Sequence, residues 1–159
     1  MIRVLLVTML LACSGSPGGP NMHNSMSGPE ATPQASSVVS GDILSREAQA
    51  NHTSVKHILI GWKKDGEDHT DARAAKRTKK DAEDQVRALM TQLKAGADFD
   101  QLAKQWSEDP GSAASGHVYA VSPDAQLVIE FRQLGLRLKV DEIGVVESDF
   151  GFHIMKRVE

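Results

Sequence analysis

The chain carries one cysteine, Cys13, in 159 residues, so no disulfide can close within it. Whatever folds must hold by burial of apolar surface alone. No charge excess of one sign is present either. The net charge of −3 gives no electrostatic footing for a nucleic-acid partner. His23, His52, His69 and His117 have no metal-ligand spacing, and neither a glycine-rich phosphate loop nor a nucleophile elbow occurs. No internal repeat is apparent. The apolar run Val4–Ala12 is far short of the roughly 20 residues needed to cross a bilayer as a helix. These gaps leave a reading without metal, cofactor or nucleic acid.

What remains is ordinary globular composition, 40% apolar and 25% charged, at a length that suits one domain. It is unevenly spread. Arg3 followed by Val4–Ala12 reads as an export signal over residues 1–12. Leu10-Leu11-Ala12-Cys13 resembles a bacterial lipobox, in which the cysteine becomes the lipidated first residue of the mature protein. An ordinary secretory signal with an incidental cysteine is the other reading. Ser14–Ser40 holds four of the six prolines, many Gly and Ser, and one charged residue, Glu30. Such a stretch buries too little to offset the entropy of ordering it, so a flexible tether is expected over residues 13–52.

Residues 53–159 carry periodic patterns. Val55–Trp62 reads as a short strand buried on both faces. Lys63 to Arg77 reads as a charged loop turning helical near its end. Thr78 with Asp81 forms a capping box for a helix whose apolar stripe is Ala82, Val86, Leu89, Met90 and Leu93, and Gly96 stops it. Asp98 with Gln101 opens a second helix, burying Phe99, Leu102, Ala103 and Trp106. Ser107–Gly116 reads as a loop with a turn at Asp109-Pro110-Gly111. His117–Val121 is a strand candidate. Ser122-Pro123-Asp124 breaks it and opens a helix carrying Leu127, Phe131 and Leu134. Gly144–Val158 alternates as two strands around Ser148-Asp149. The pattern implies an α+β fold with a small, mostly antiparallel four-stranded sheet and three to four helices.

In that order, four segments resemble the parvulin family of peptidyl-prolyl isomerases. They are the strand Val55–Ile60, the helix start Gly96–Ala103, the loop Trp106–Ala113 and the closing strand Phe150–Lys156. The resemblance covers essentially all of residues 53–159. It implies rotation about the bond preceding proline in unfolded or flexible polypeptides, by a non-covalent mechanism. It assigns His57 and His153 as paired imidazoles, either acting directly or organising the site. Asp109 falls at the position facing the substrate amide, although an Asp-Pro-Gly turn favours aspartate for backbone reasons alone. Ser148 is the hydroxyl beside the histidines. Leu127 and Phe131 line the prolyl socket, with Gln126 or Val128 as alternatives to Leu127 because of one inserted residue. Val118 and Phe152 complete the substrate-binding set.

Two departures stand out. Tyr119 occupies a position where the family has glycine, which suggests a different backbone path. Lys63 and Lys64 beside Asp65, Glu67 and Asp68 make a mixed-charge loop, which argues against a phosphate requirement. The expectation is a monomeric isomerase and folding factor, lipid-anchored through Cys13 in a bacterial cell envelope and facing away from the cytoplasm. A chaperone-like binding module without efficient turnover is the alternative.

Overall fold

A computed structural model describes residues 36–64 and 71–159. The signal segment, Cys13, most of the expected tether, and Asp65, Glu67, Asp68 and His69 lie outside these. The order is α1 (Gly41–Leu44), β1 (Thr53–Ile60), a 3-10 turn (Ala74–Lys76), α2 (Lys79–Lys94), α3 (Phe99–Trp106), α4 (Pro110–Ser115), β2 (Tyr119–Val121), α5 (Ile129–Gly135), β3 (Ile143–Ser148) and β4 (Gly151–Arg157). The strands form one antiparallel sheet in the order β2-β1-β4-β3. The first and last strands are thus central neighbours.

Strand alternation divides the molecule in two. Ile58 and Ile60 face the same way as their partners Ile154 and Phe152, and this side packs against Val86 and Leu89 of α2 and Phe99 and Leu102 of α3. Val55, His57 and Leu59 face the other way, beside Met155 and His153. There Val55, Met155 and Val146 pack against Phe131, Leu134 and Leu138. One side is a closed hydrophobic layer. The other has room for a site.

The α2 boundaries follow the capping box expected: Thr78 accepts from the Asp81 amide and Asp81 accepts from the Thr78 amide. Gly96 follows the helix at φ 93°. For α3 only half of the box forms, with Asp98 accepting from the Gln101 amide at 2.8 Å.

Several expectations are corrected. Ser107–Gly116 is not a plain loop. Asp109 caps α4, Pro110 opens it, and Gly116 closes it at φ 62°, so the apparent turn residues are helix punctuation. The α5 helix begins at Ile129, so Leu127 precedes it in a turn rather than lying on it. The expected α+β fold, a small antiparallel four-stranded sheet with several helices, is present, with α1 and α4 as short helices beside α2, α3 and α5. Tyr119 opens β2, paired with Val55. Order also begins before residue 53. Ser40 exchanges bonds with Val145 across the β3 edge, Arg46 pairs with Glu142, and Ile43 is buried among Leu134 and Leu138.

Candidate active site

The end of β1 organises the site. After α3 the chain doubles back onto this strand, and the Ser107 hydroxyl accepts from both the Leu59 and Asp109 amides, at 3.1 and 3.3 Å. The Glu108 amide donates to the Leu59 carbonyl. The buried Glu108 carboxylate takes the Gly61 amide at 2.7 Å and Arg77 at 2.6 Å, while Arg77 also donates to the Gly61 carbonyl. A buried carboxylate satisfied this fully is a positional clamp rather than a free charge. Asp109 is delivered beside His57 by these contacts.

From Asp109 a polar chain runs beneath the sheet surface. Asp109 Oδ2 accepts from the Ser112 amide at 2.7 Å and from the Tyr119 hydroxyl at 2.9 Å. His57 Nε2 lies 3.3 Å from the same oxygen but is not aligned into a formed hydrogen bond, so that contact is electrostatic. His57 Nδ1 and His153 Nδ1 share a proton at 3.1 Å. His153 Nε2 meets the Ser148 hydroxyl at 2.7 Å, and Ser148 Oγ in turn accepts from the Phe150 amide.

The charges follow from these surroundings. The His57 contact, with help from Ser112 and Tyr119, holds the Asp109 carboxyl well below the usual carboxylate range against its own burial. Burial first, and His57 second, lower His153 to about 3, leaving it neutral at ordinary pH. One polarity suits both the imidazole–imidazole and the imidazole–hydroxyl links. The Asp109 anion favours a proton on His57 Nε2; with Nδ1 then left to accept from His153, His153 Nε2 accepts from Ser148.

Above this chain is a cavity of about 630 Å³. Phe131 forms its apolar wall and meets both imidazoles edge-on, at 5.1 and 5.4 Å between ring centres. His57, Asp109, His153 and Phe131 all line it, as do Gln126, Leu127 and Val128, the three candidates for one socket position. Ser148 reaches it only through His153. Val118 and Phe152 do not line it. Phe152 neighbours His153 along β4 and therefore points to the opposite face, fully buried against Trp62. Val118 precedes β2 and is exposed.

Sequence reasoning missed Tyr119 as a wall of the cavity, together with Leu59, Arg132 and the exposed Phe150. Tyr119 carried a signal, being a bulky ring three residues after the helix-closing Gly116. The Glu108–Arg77 clamp carried none, since its partners are 31 residues apart. Among the described residues no cluster of histidine, cysteine and carboxylates could hold a metal ion.

A family model for the PPIC-type PPIASE domain matches residues 42–159. Foldase protein PrsA of Geobacillus kaustophilus is 38% identical over 72 residues, covering 45% of this chain and 26% of that protein. Chaperone SurA of Alkalilimnicola ehrlichii is 36% identical over 109 residues, 68% of this chain and 23% of that protein. The crystal structure of PrsA from Bacillus cereus superposes with a TM-score of 0.52 at 29% identity, over 75% of this chain and 38% of that one. The chain thus spans about a quarter of the length of these curated relatives.

Proposed function

The chain belongs to the PPIC-type PPIASE domain family, and from that premise we propose that it catalyses cis/trans isomerisation of peptidyl-prolyl bonds in unfolded or flexible polypeptides. Uncatalysed rotation takes tens to hundreds of seconds because the partial double bond of the amide must be broken. A catalyst need form no bond to substrate. It must hold the twisted imide better than either planar form. In the proposed arrangement, Phe131, with Leu127 or one of its neighbours, grips the prolyl ring. The sheltered wall disfavours the polar planar amide, and Asp109 with the His57–His153–Ser148 chain supplies fixed dipoles that follow the turning carbonyl. The observation that carries this reading is the juxtaposition of Phe131 and Asp109 in one cavity above two buried imidazoles.

A binding module without turnover is the competing reading. It is favoured by the engagement of Asp109 Oδ2 with Ser112 and Tyr119 before any substrate arrives. For location, the lipobox-like Leu10–Cys13 supports a lipid anchor on Cys13 and an extracytoplasmic site of action. A single acyl chain holds weakly, so durable attachment requires the several chains of a lipoprotein.

One experiment addresses both claims. Membrane and soluble fractions of cells expressing the full chain are assayed with a proline peptide. Acceleration is expected in the membrane fraction, moving to the soluble fraction for Cys13→Ala. With purified protein, Asp109→Ala and Phe131→Ala should each lower kcat/KM about tenfold or more, a loss of about 1.4 kcal/mol of transition-state stabilisation. Binding of unfolded protein at a background isomerisation rate selects the competing reading. A Cys13→Ala protein that stays with the membrane rules out the anchor.

A further inference from the structure

Tyr119 is the single tyrosine of the chain, and it is built into the site at both ends. Its ring meets His57 edge-on at 4.9 Å and Phe131 at 5.8 Å, and His117 covers its outer side at 4.5 Å. Its hydroxyl donates to Asp109 Oδ2 at 2.9 Å, the oxygen that faces His57 Nε2 at 3.3 Å. Space for that hydroxyl depends on Gly111. A Cβ there would lie 3.2 Å from the phenol oxygen and 3.3 Å from Asp109 Oδ2. Burial, and then the bond to Asp109, push the phenol up to about 12, so it remains a donor throughout the accessible pH range.

We propose that Tyr119 is a positioning residue, whose hydroxyl holds the Asp109 carboxylate against His57 and so keeps a proton on His57 Nε2. Everything further along follows from that proton. With the proton on Nε2 facing the anion, His57 accepts at Nδ1, His153 donates to it, and Ser148 donates to His153. Without the phenol, Oδ2 keeps the Ser112 amide, with the unpartnered Ser112 hydroxyl nearby, and loses the bond that fixes it from the β2 side. A proton on Nδ1 then becomes competitive, and the chain can reverse. The groups that face Asp109 are His57 from β1, the Tyr119 hydroxyl from β2 and both the amide and the hydroxyl of Ser112 from α4, with His153 beyond His57.

The consequence for rate rests on the isomerase reading; the consequence for the proton does not. Tyr119→Phe in the full chain removes one oxygen and keeps the ring contacts to His57, Phe131 and His117. Nitrogen NMR of labelled histidine is expected to show His57 moving from a single Nε2–H pattern to a mixture, and the carboxyl-carbon titration midpoint of Asp109 should move upward. Prolyl isomerisation kcat should fall about tenfold with KM little changed, the scale of one supporting hydrogen bond. Gly111→Ala, which crowds the phenol rather than removing it, should produce the same two NMR changes. A Tyr119→Phe protein with wild-type His57 nitrogens and a wild-type Asp109 midpoint overturns the proposal, as does a changed nitrogen pattern with unchanged kcat. Should the wild-type protein show no isomerase activity at all, the proposed function fails, while the NMR comparison still decides the proton placement.

Discussion

His153 shows at the scale of one residue what the site requires of the fold. It is buried, bonded at both ring nitrogens, and lowered to about 3. An imidazole in the unfolded chain titrates near 6.5. Between about pH 6.5 and 3, therefore, unfolding takes up a proton that the native state refuses, and stability falls as pH falls through that window. From pH 7 to pH 5 the contribution of this one group amounts to about 2 kcal/mol. Asp109 works in a lower range. With its carboxyl held below the ordinary value, its stabilising contribution is complete above the unfolded carboxylate range and is lost only as pH drops through its depressed native value. Urea titrations at the two pH values should show the decline, and His153→Gln should flatten it by about that amount. Parallel pH dependences in the two proteins would mean that His153 is not held neutral.

At the scale of elements, the hairpin of β3 and β4 does most to set the geometry. Its turn carries Gly151 at φ 141°, with a virtual Cβ only 2.5 Å from the Ile60 carbonyl oxygen and 2.9 Å from Gly61 Cα. Backbone conformation and space both exclude a side chain. Because Gly151 sits between Ser148 and His153, Gly151→Ala should push β4 off the end of β1 and lower stability by about 3 kcal/mol or more, read in a thermal melt. A melt matching wild type would show that the hairpin can relax around the methyl group. Elements with strong local signals were legible in the sequence: the Thr78–Asp81 box, the α2 stripe, and the strands bearing His57 and His153. The α4 helix was misread because Asp-Pro-Gly serves equally as a turn and as a helix start, and six residues carry no periodicity to choose between them. Phe152, grouped with the substrate-binding residues, lies away from the cavity for a simpler reason. Strand alternation, applied from His153, sends it to the opposite side of the sheet. The Glu108–Arg77 clamp and the Tyr119–Asp109 bond are tertiary pairings with no local signature.

Across the whole molecule, the sheet acts as a plank with one face committed to support. The α2 and α3 side is closed by Ile58, Ile60, Leu89 and Phe152, all fully buried, and it fixes the register from which His57 and His153 project the other way. The opposite layer is thinner and includes Phe131, the wall of the cavity. That layer is completed by residues before β1, where Ile43 packs among Leu134, Leu138 and the α-carbon face of Gly144. Arg46 ties the same segment to Glu142 at 2.7 Å, and the Gln49 amide donates to the Leu136 carbonyl. A folded unit that began at residue 53 would leave this layer open. Ile43→Ala should therefore lower stability by about 2–4 kcal/mol, the range for removing a buried aliphatic side chain. The effect should reach the socket, because Phe131 belongs to the same apolar cluster, so KM for a proline peptide should rise in molecules that remain folded. Coincident urea curves for Ile43→Ala and wild type would show that the segment before β1 lies on the surface without carrying load, and that the sheet and α5 hold the socket unaided.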